Sequence, residues 1–254
     1  MGSLSVVVPA YNAGAYLKAA VDSLLAERLP ELEIVVVDDG STDASVETLA
    51  RLPVRLVRQK NAGEAAARNA GVRAASGRFV TFLDADDLIA PGGLAARLAF
   101  LEENPAERAV GGLPLRLIDE SGAAIADVFE KMSGRWPFPL RLREAFYRAG
   151  SFFPVSCSLY LYRREIFDEV GGYDEGLSIA PDCDFHFRML RRFSVPIFKI
   201  PTFIRRLHGG NLSLAGGGAK RLAFRPEVVS AVRAINRRYG LDPKEIVPWE
   251  LDYL

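Results

Sequence analysis

Three aspartates close an apolar run in Phe79-Val80-Thr81-Phe82-Leu83-Asp84-Ala85-Asp86-Asp87. Side chains two residues apart in extended chain project to the same side, so Asp84 and Asp86 can share one cation-centred site. An ion held by oxygen ligands suits a reaction whose leaving group accumulates negative charge. A blander reading competes, in which these aspartates only form a turn or cap the next helix; Asp87 fits that role best. Nitrogen and sulfur ligands are scarce: the chain has two histidines, His186 and His208, and two cysteines, Cys157 and Cys183. That excludes a histidine cage, a disulfide framework and a paired-cysteine zinc site, and the cysteines read as small buried hydrophobes. His186, four residues after Asp182, could share a helix face with it, but a packed or acceptor-side role suits it better for want of further ligands.

Three earlier apolar runs end in equally polar segments. Ser5-Val6-Val7-Val8 leads to Pro9-Ala10-Tyr11-Asn12, Glu33-Ile34-Val35-Val36-Val37 to Asp38-Asp39-Gly40-Ser41, and Val54-Arg55-Leu56-Val57 to Asn61-Ala62-Gly63. Between them lie a helical pattern through Tyr16, Leu17, Ala20, Val21, Leu24 and Leu25, a second helix containing Val46 and Leu49 and capped by Thr42 or Asp43, and a third over 64–75. Strands alternating with helices predict an α/β fold with a Rossmann-like mixed sheet, mainly parallel and flanked by helices. Ligands of such sheets gather beyond the carboxyl ends of the strands, so four polar strand ends converge on one edge.

The remainder is less regular. A helix begins at Pro91 and runs through Leu94, Leu98 and Leu101; 109–118 reads as a strand, 130–139 as a loop and 158–162 as a strand. A helix is predicted over 182–192 and extended chain over 195–207, interrupted near Pro201. Gly209-Gly210 and Gly216-Gly217-Gly218 bracket a loop with freedom to move, and Val228, Val232, Ile235 and Tyr239 mark one face of a final helix. With 49% hydrophobic and 25% charged residues over 254 positions, the chain has a globular composition rather than a disordered one. Lys+Arg and Asp+Glu both total 32, so no global field favours nucleic acid, which is excluded as a partner. No apolar run reaches the roughly 18 residues of a membrane span, and Met1-Gly2-Ser3-Leu4 lacks the basic start of a secretory signal; a cytoplasmic protein is expected.

The polar strand ends also carry a family resemblance. Val6-Val7-Val8-Pro9-Ala10-Tyr11-Asn12, Val35-Val36-Val37-Asp38-Asp39-Gly40-Ser41-Thr42-Asp43, Asn61-Ala62-Gly63 with Ala67-Arg68-Asn69, and Phe82-Leu83-Asp84-Ala85-Asp86-Asp87 stand in the order and spacing of a family 2 glycosyltransferase of the GT-A fold. Gly171-Gly172-Tyr173-Asp174 and Asp182-Cys183-Asp184 resemble that family's acceptor-side segment, extending the likeness to about Ser213. The resemblance implies an inverting transfer from a nucleotide-sugar donor, in first place a UDP-sugar, to a glycan, lipid-linked or other hydroxyl acceptor. It implies a Mn²⁺ or Mg²⁺ cofactor with Asp86 and His208 as ligands, and Asp84 on the ribose or beside the ion. It places Pro9, Ala10 and Tyr11 beside the base, gives Asp39 a hydrogen bond from uracil, and sets Arg68 near the base and phosphates. Asn61 either touches nucleotide or starts the third helix. Asp182 matches the base that takes the acceptor proton, and Asp184 has a structural role. Pro181 stands where glutamate is common, which puts the acceptor contacts of that glutamate in doubt.

One domain is expected over 1–254, divided into a nucleotide-sugar half (1–104), an acceptor-side half (105–215) and a C-terminal helix and tail (216–254). Arg225, Arg233, Arg237 and Arg238 around the last helix would suit peripheral contact with a membrane carrying a lipid-linked acceptor, against the plainer reading that the apolar stripe packs on its own domain. Two rival functions remain: nucleotidyl transfer, which lacks its Gly-rich basic loop after the first strand, and a non-catalytic sugar-nucleotide or glycan binding module, suggested by Pro181. A dehydrogenase is excluded because no G-x-G-x-x-G follows that strand.

Overall fold

Continuous valine runs form the centre of the fold because strands covered on both faces have no side to leave polar. In a computed structural model describing residues 3–135, 139–141, 156–211, 214–215, 223–224 and 226–239, β1 (Leu4–Ala10) pairs in parallel with β2 (Leu32–Asp38) and β4 (Phe79–Phe82). Val6, Val7, Val8, Val35, Val36 and Val37 are all fully buried there. β3 (Arg55–Arg58) extends the sheet beyond β2, and its exposed arginines suit the edge position.

Beyond β4 the direction changes. β10 (Tyr160–Arg163) runs antiparallel to β4 and to β6 (Ala109–Leu113), which is followed by β11 (Pro196–Pro201) and β9 (Leu140–Arg141), giving the order β3-β2-β1-β4-β10-β6-β11-β9. β5 (Leu88–Ile89), β12 (Phe203–Arg206), β7 (Arg116–Ile118) and β8 (Ala124–Asp127) form a second sheet, and β13 (Leu214–Ala215) pairs with β14 (Ala223–Phe224). The order 3-2-1-4 places a switch in winding beside β1 and β4, whose carboxyl ends carry Pro9-Ala10-Tyr11-Asn12 and Asp84-Ala85-Asp86.

The helices are α1 (Tyr16–Ala26), α2 (Glu64–Ala74), α3 (Gly93–Glu103), α4 (Phe129–Arg135), α5 (Ile166–Val170), α6 (Pro181–Arg192) and α7 (Pro226–Arg238). Three local expectations are corrected. The segment with Val46 and Leu49 is a single 3-10 turn. The segment 109–118 splits at Pro114 into strands of different sheets, and 129–135 is helical where a loop is predicted. Ser213, Gly216-Gly217-Gly218 and Arg225 lie outside the described residues. Among the described residues no helix is long and apolar enough to cross a membrane.

Small residues let α2 approach the sheet closely. A Cβ on Gly71 would stand 2.2 Å from Val7 Cγ1 and 3.2 Å from Val37 Cγ2, both on fully buried side chains. Gly71→Ala is therefore expected to destabilise by about 1–3 kcal/mol through overpacking, read as a lower urea midpoint at unchanged m value. An unchanged midpoint would mean that α2 does not sit this close to β1.

Candidate active site

The loops after β1 and β2 are clasped together by side chains. Asn12 Oδ1 accepts from the backbone N–H groups of Thr42 (2.7 Å) and Asp43 (3.2 Å), Ser41 Oγ accepts from Asn12 N–H, and Asp43 Oδ2 accepts from Gly14 N–H. Asp38 accepts from Ser41 N–H and so anchors the turn at Gly40. Within this clasp Pro9 is half-buried and Ala10 buried, whereas Tyr11 is 53% exposed, its ring open to a ligand.

Asp39 is buried and already engaged. Its Oδ1 accepts from Gln59 Nε2 (2.7 Å) and Ala62 N–H (2.9 Å), and its Oδ2 from Gly63 N–H (2.9 Å). An ionised carboxylate offers about four lone-pair sites, so one remains for a ligand donor. Gly63 has φ +91°, a conformation glycine alone adopts readily, and the turn it makes starts α2. Asn61 is exposed beside this turn, two residues before the cap, so it does not itself cap the helix.

Arg68 is buried. Its side chain is 3% exposed, and its guanidinium donates to Asp84 Oδ1 at 2.9 Å and to Glu64 Oε1 and lies 5.6 Å from the centroid of the Tyr173 ring. Glu64 is a site residue that sequence reasoning missed. Desolvation raises its carboxyl above the ordinary glutamate range; Arg68 opposes this, and the charges of Asp84, Asp182 and Asp86 add to it.

The far side of the acidic edge is built by β12 and the segment after it. His208 Nε2 lies 2.8 Å from Asp86 Oδ2, and His208 Nδ1 accepts from Gly210 N–H at 3.1 Å. With Nδ1 accepting, the hydrogen-bond pattern assigns the proton to Nε2, which donates to Asp86. Asn211 Nδ2 also donates to Asp86 Oδ2 (3.2 Å), while Asn211 Oδ1 accepts from His208 N–H. Asp87 caps no helix. It is buried and accepts from Arg206 N–H, pinning β12 to the acidic turn. Arg206, unremarked in the sequence, donates to the carbonyls of Asp86, Asp119 and Glu120 and stacks 4.9 Å from the Tyr16 ring.

Asp182 occupies the first turn of α6, after Ala180 in a left-handed conformation (φ 54°) and Pro181 at a position where its missing N–H costs nothing. Its Oδ1 accepts from Cys183 N–H at 2.9 Å. Burial raises its carboxyl above the usual aspartate range; the Arg68 charge opposes the rise and Asp84 adds to it. Asp182, Arg68 and Asp84 are therefore near enough for their charges to act on one another. Cys157 and Cys183 are buried and burial holds both thiols well above their ordinary range, as small core residues. His186 is packed too, with Nε2 2.7 Å from the Tyr162 hydroxyl.

Among the described residues no three His, Cys, Asp or Glu side chains form a closed metal-holding group. Asp86 and His208 are nevertheless a carboxylate and an imidazole meeting at one point, and Mg²⁺-type sites commonly take one or two protein ligands plus substrate phosphates and water. The residues present fit an ion that takes the place of the Nε2 proton between Asp86 and His208 and is completed by its ligand.

Residues 5–171 match the family described as glycosyl transferase family 2. The chain is similar to the glycosyltransferase YibD of Escherichia coli (strain K12), 44% identical over 93 residues covering 35% of this chain and 27% of that protein. It is also similar to the glycosyltransferase GlyG of Streptococcus pneumoniae serotype 4, 30% identical over 231 residues covering 82% of this chain and 72% of GlyG. The chain thus spans only about a quarter of the first of these relatives. Residues 1–349 of S. aureus TarS, solved in complex with UDP-GlcNAc, share its fold at TM-score 0.68 and 23% identity, covering 92% of this chain and 66% of that one.

Proposed function

The chain belongs to glycosyl transferase family 2, and on that premise we propose that it transfers a sugar, with inversion, from a nucleotide-diphosphate sugar to an acceptor hydroxyl. The observation that supports this reading is the run of contacts in which Arg68 pairs with Asp84, two residues from the Asp86–His208 contact, and lies over Tyr173, on the segment leading to the first turn of α6 that carries Asp182. A UDP-sugar is the donor best supported, because the TarS structure similar to this one binds UDP-GlcNAc and the remaining acceptor site on Asp39 suits an imide N–H. Tyr11 offers its exposed ring to the base.

The reaction assigns each side chain one task. Asp182 takes the proton of the acceptor hydroxyl as that oxygen attacks the anomeric carbon, while the opposite bond to the diphosphate breaks and its electron pair leaves with the nucleotide. Asp86 and His208 would hold Mn²⁺ or Mg²⁺, which when bound would supply Lewis-acid stabilisation of the departing diphosphate. Arg68 fixes Asp84 at the ribose side. Glycan and lipid-linked acceptors both suit this chemistry. For the latter, the exposed Arg233 and Arg237 of α7 are the side that would face an anionic surface.

Release of UDP from a panel of UDP-sugars with Mn²⁺ tests the reading. Turnover supports the enzyme; UDP binding without turnover on any donor favours a binding module instead. In the same protein, UDP plus Mn²⁺ is expected to raise Tm by ligand linkage. Asp39→Ala should weaken that shift and flatten the preference for UDP over ADP, GDP and CDP. Equal stabilisation by all four in the wild type would remove Asp39 from base recognition.

A further inference from the structure

The last helix carries no motif of the family, yet it is wired to the first turn of α6. Val232 and Ile235 are buried against Cys183 and Phe187, with Val228, Tyr239, Leu177 and Ala180 packed around them. Ala180 is the residue held at φ 54°, and a non-glycine residue stays in that region only when its surroundings impose it. Ala180 packs against the cluster that α7 and α6 form together.

A polar chain runs beside this packing. The Tyr239 hydroxyl donates to Asp184 Oδ1 at 2.6 Å, and Asp184 is 1% exposed. Asp184 Oδ2 accepts from Arg188 Nε at 2.8 Å; the rest of that guanidinium donates to the carbonyls of Val170, Gly171 and Gly172. The next residue, Tyr173, exchanges two backbone hydrogen bonds with the Asn69 side chain and lies beneath Arg68. Thus α7 reaches both Asp182, two residues from Asp184, and Arg68, next to Asn69.

We propose that Tyr239 is a positioning residue, which through Asp184 fixes the first turn of α6 so that Asp182 faces the reacting hydroxyl, and that α7 is accordingly part of the catalytic apparatus. This rests on the reading of Asp182 as the base. Removing the hydroxyl takes the close donor from a buried carboxylate oxygen, leaving the Arg238 guanidinium 3.7 Å away, and loosens the turn; turnover feels this and donor binding does not, since Asp39, Asp86 and His208 stand on other elements and Arg68, at the far end of the relay, is held by its own bonds to Glu64 and Asp84.

The test is steady-state UDP release by the full chain with Mn²⁺ and the UDP-sugar turned over fastest, comparing wild type, Tyr239→Phe and Asp182→Asn. Tyr239→Phe is expected to lower kcat about tenfold at unchanged donor KM. A variant with wild-type kcat and lowered Tm, or with KM and kcat changed together, overturns the proposal and leaves Tyr239 as packing alone. Should Tyr239→Phe fail to fold, Asp184→Ala carries the same expectation, because it removes the acceptor through which the hydroxyl acts on the first turn of α6. Full activity of Asp182→Asn is a different failure: it removes the base assignment itself.

Discussion

Replacing Asp182 by asparagine is expected to lower kcat for sugar transfer by about 10³-fold, within the 10²–10⁴ range that positioned general bases contribute. The Tm increment given by UDP plus Mn²⁺ should stay at its wild-type size. Asparagine keeps the shape and the oxygen that accepts from Cys183 N–H, but it cannot take a proton. Burial raises the Asp182 carboxyl, Arg68 pulls it back and Asp84 raises it further, so the acid limb of kcat should lie above the ordinary aspartate value of about 3.9. The sign for stability follows from the same shift. A carboxyl whose folded pKa is raised binds more protons folded than unfolded, so its cost grows as pH rises through that window and is complete above it. At neutral pH Asp182→Asn should therefore be at least as stable as the wild type while nearly inactive. A variant that loses activity and Tm together would instead place Asp182 among structural residues, as a helix-start aspartate.

Asp86→Ala is the second large effect. The carboxylate is the point where His208 and Asn211 converge, and on the proposed metal assignment losing it would remove the anionic ligand of the ion. kcat/KM for UDP release with Mn²⁺ is expected to fall about 10²–10³-fold, the usual loss when one stabiliser of developing charge is removed. EDTA should reduce the wild type to the same level and leave the variant unchanged. His208→Ala removes the neutral ligand and is expected to cost less, about 10–100-fold. Since the Asp86 side chain is part-exposed, water replaces its hydrogen bonds and Tm without ligand should stay within about 2 °C. Wild-type turnover of Asp86→Ala in EDTA would contradict a metal-assisted departure.

Much of the donor side was legible because its elements are determined locally. The valines of β1 and β2 are buried on both faces, so an apolar run announces each strand and a change to polar residues announces its end. Pro9 to Asn12, Asp38 to Ser41 and Asp84 to Asp87 were readable for that reason. What escaped depends on distant partners. Arg68 is placed near the base and phosphates by resemblance, but its burial was not legible, because it rests on Asp84 and Tyr173 from other segments of the chain. Arg206 was passed over because its partners lie some 90 and 120 residues away in the carbonyls of Asp119 and Asp86. The split of 109–118 follows from Pro114, which lacks the N–H to continue a ladder. The last helix illustrates the limit most clearly: its apolar stripe was plain, but the sequence offered a membrane or the rest of the domain to cover it. Val232 and Ile235 are turned onto α6, and the link from Tyr239 to Asp184 crosses 55 residues.

Diffraction from crystals soaked with UDP and Mn²⁺, recorded at a wavelength where manganese scatters anomalously, tests the common cleft most directly. The expected map has one anomalous peak within coordination distance of Asp86, His208 and the diphosphate oxygens, the uracil against Tyr11 and Asp39, and Asp182 facing the open side of the terminal phosphate. A manganese peak away from Asp86, or a nucleotide whose diphosphate points away from Asp182, would contradict the assignment of donor, ion and base to a single site.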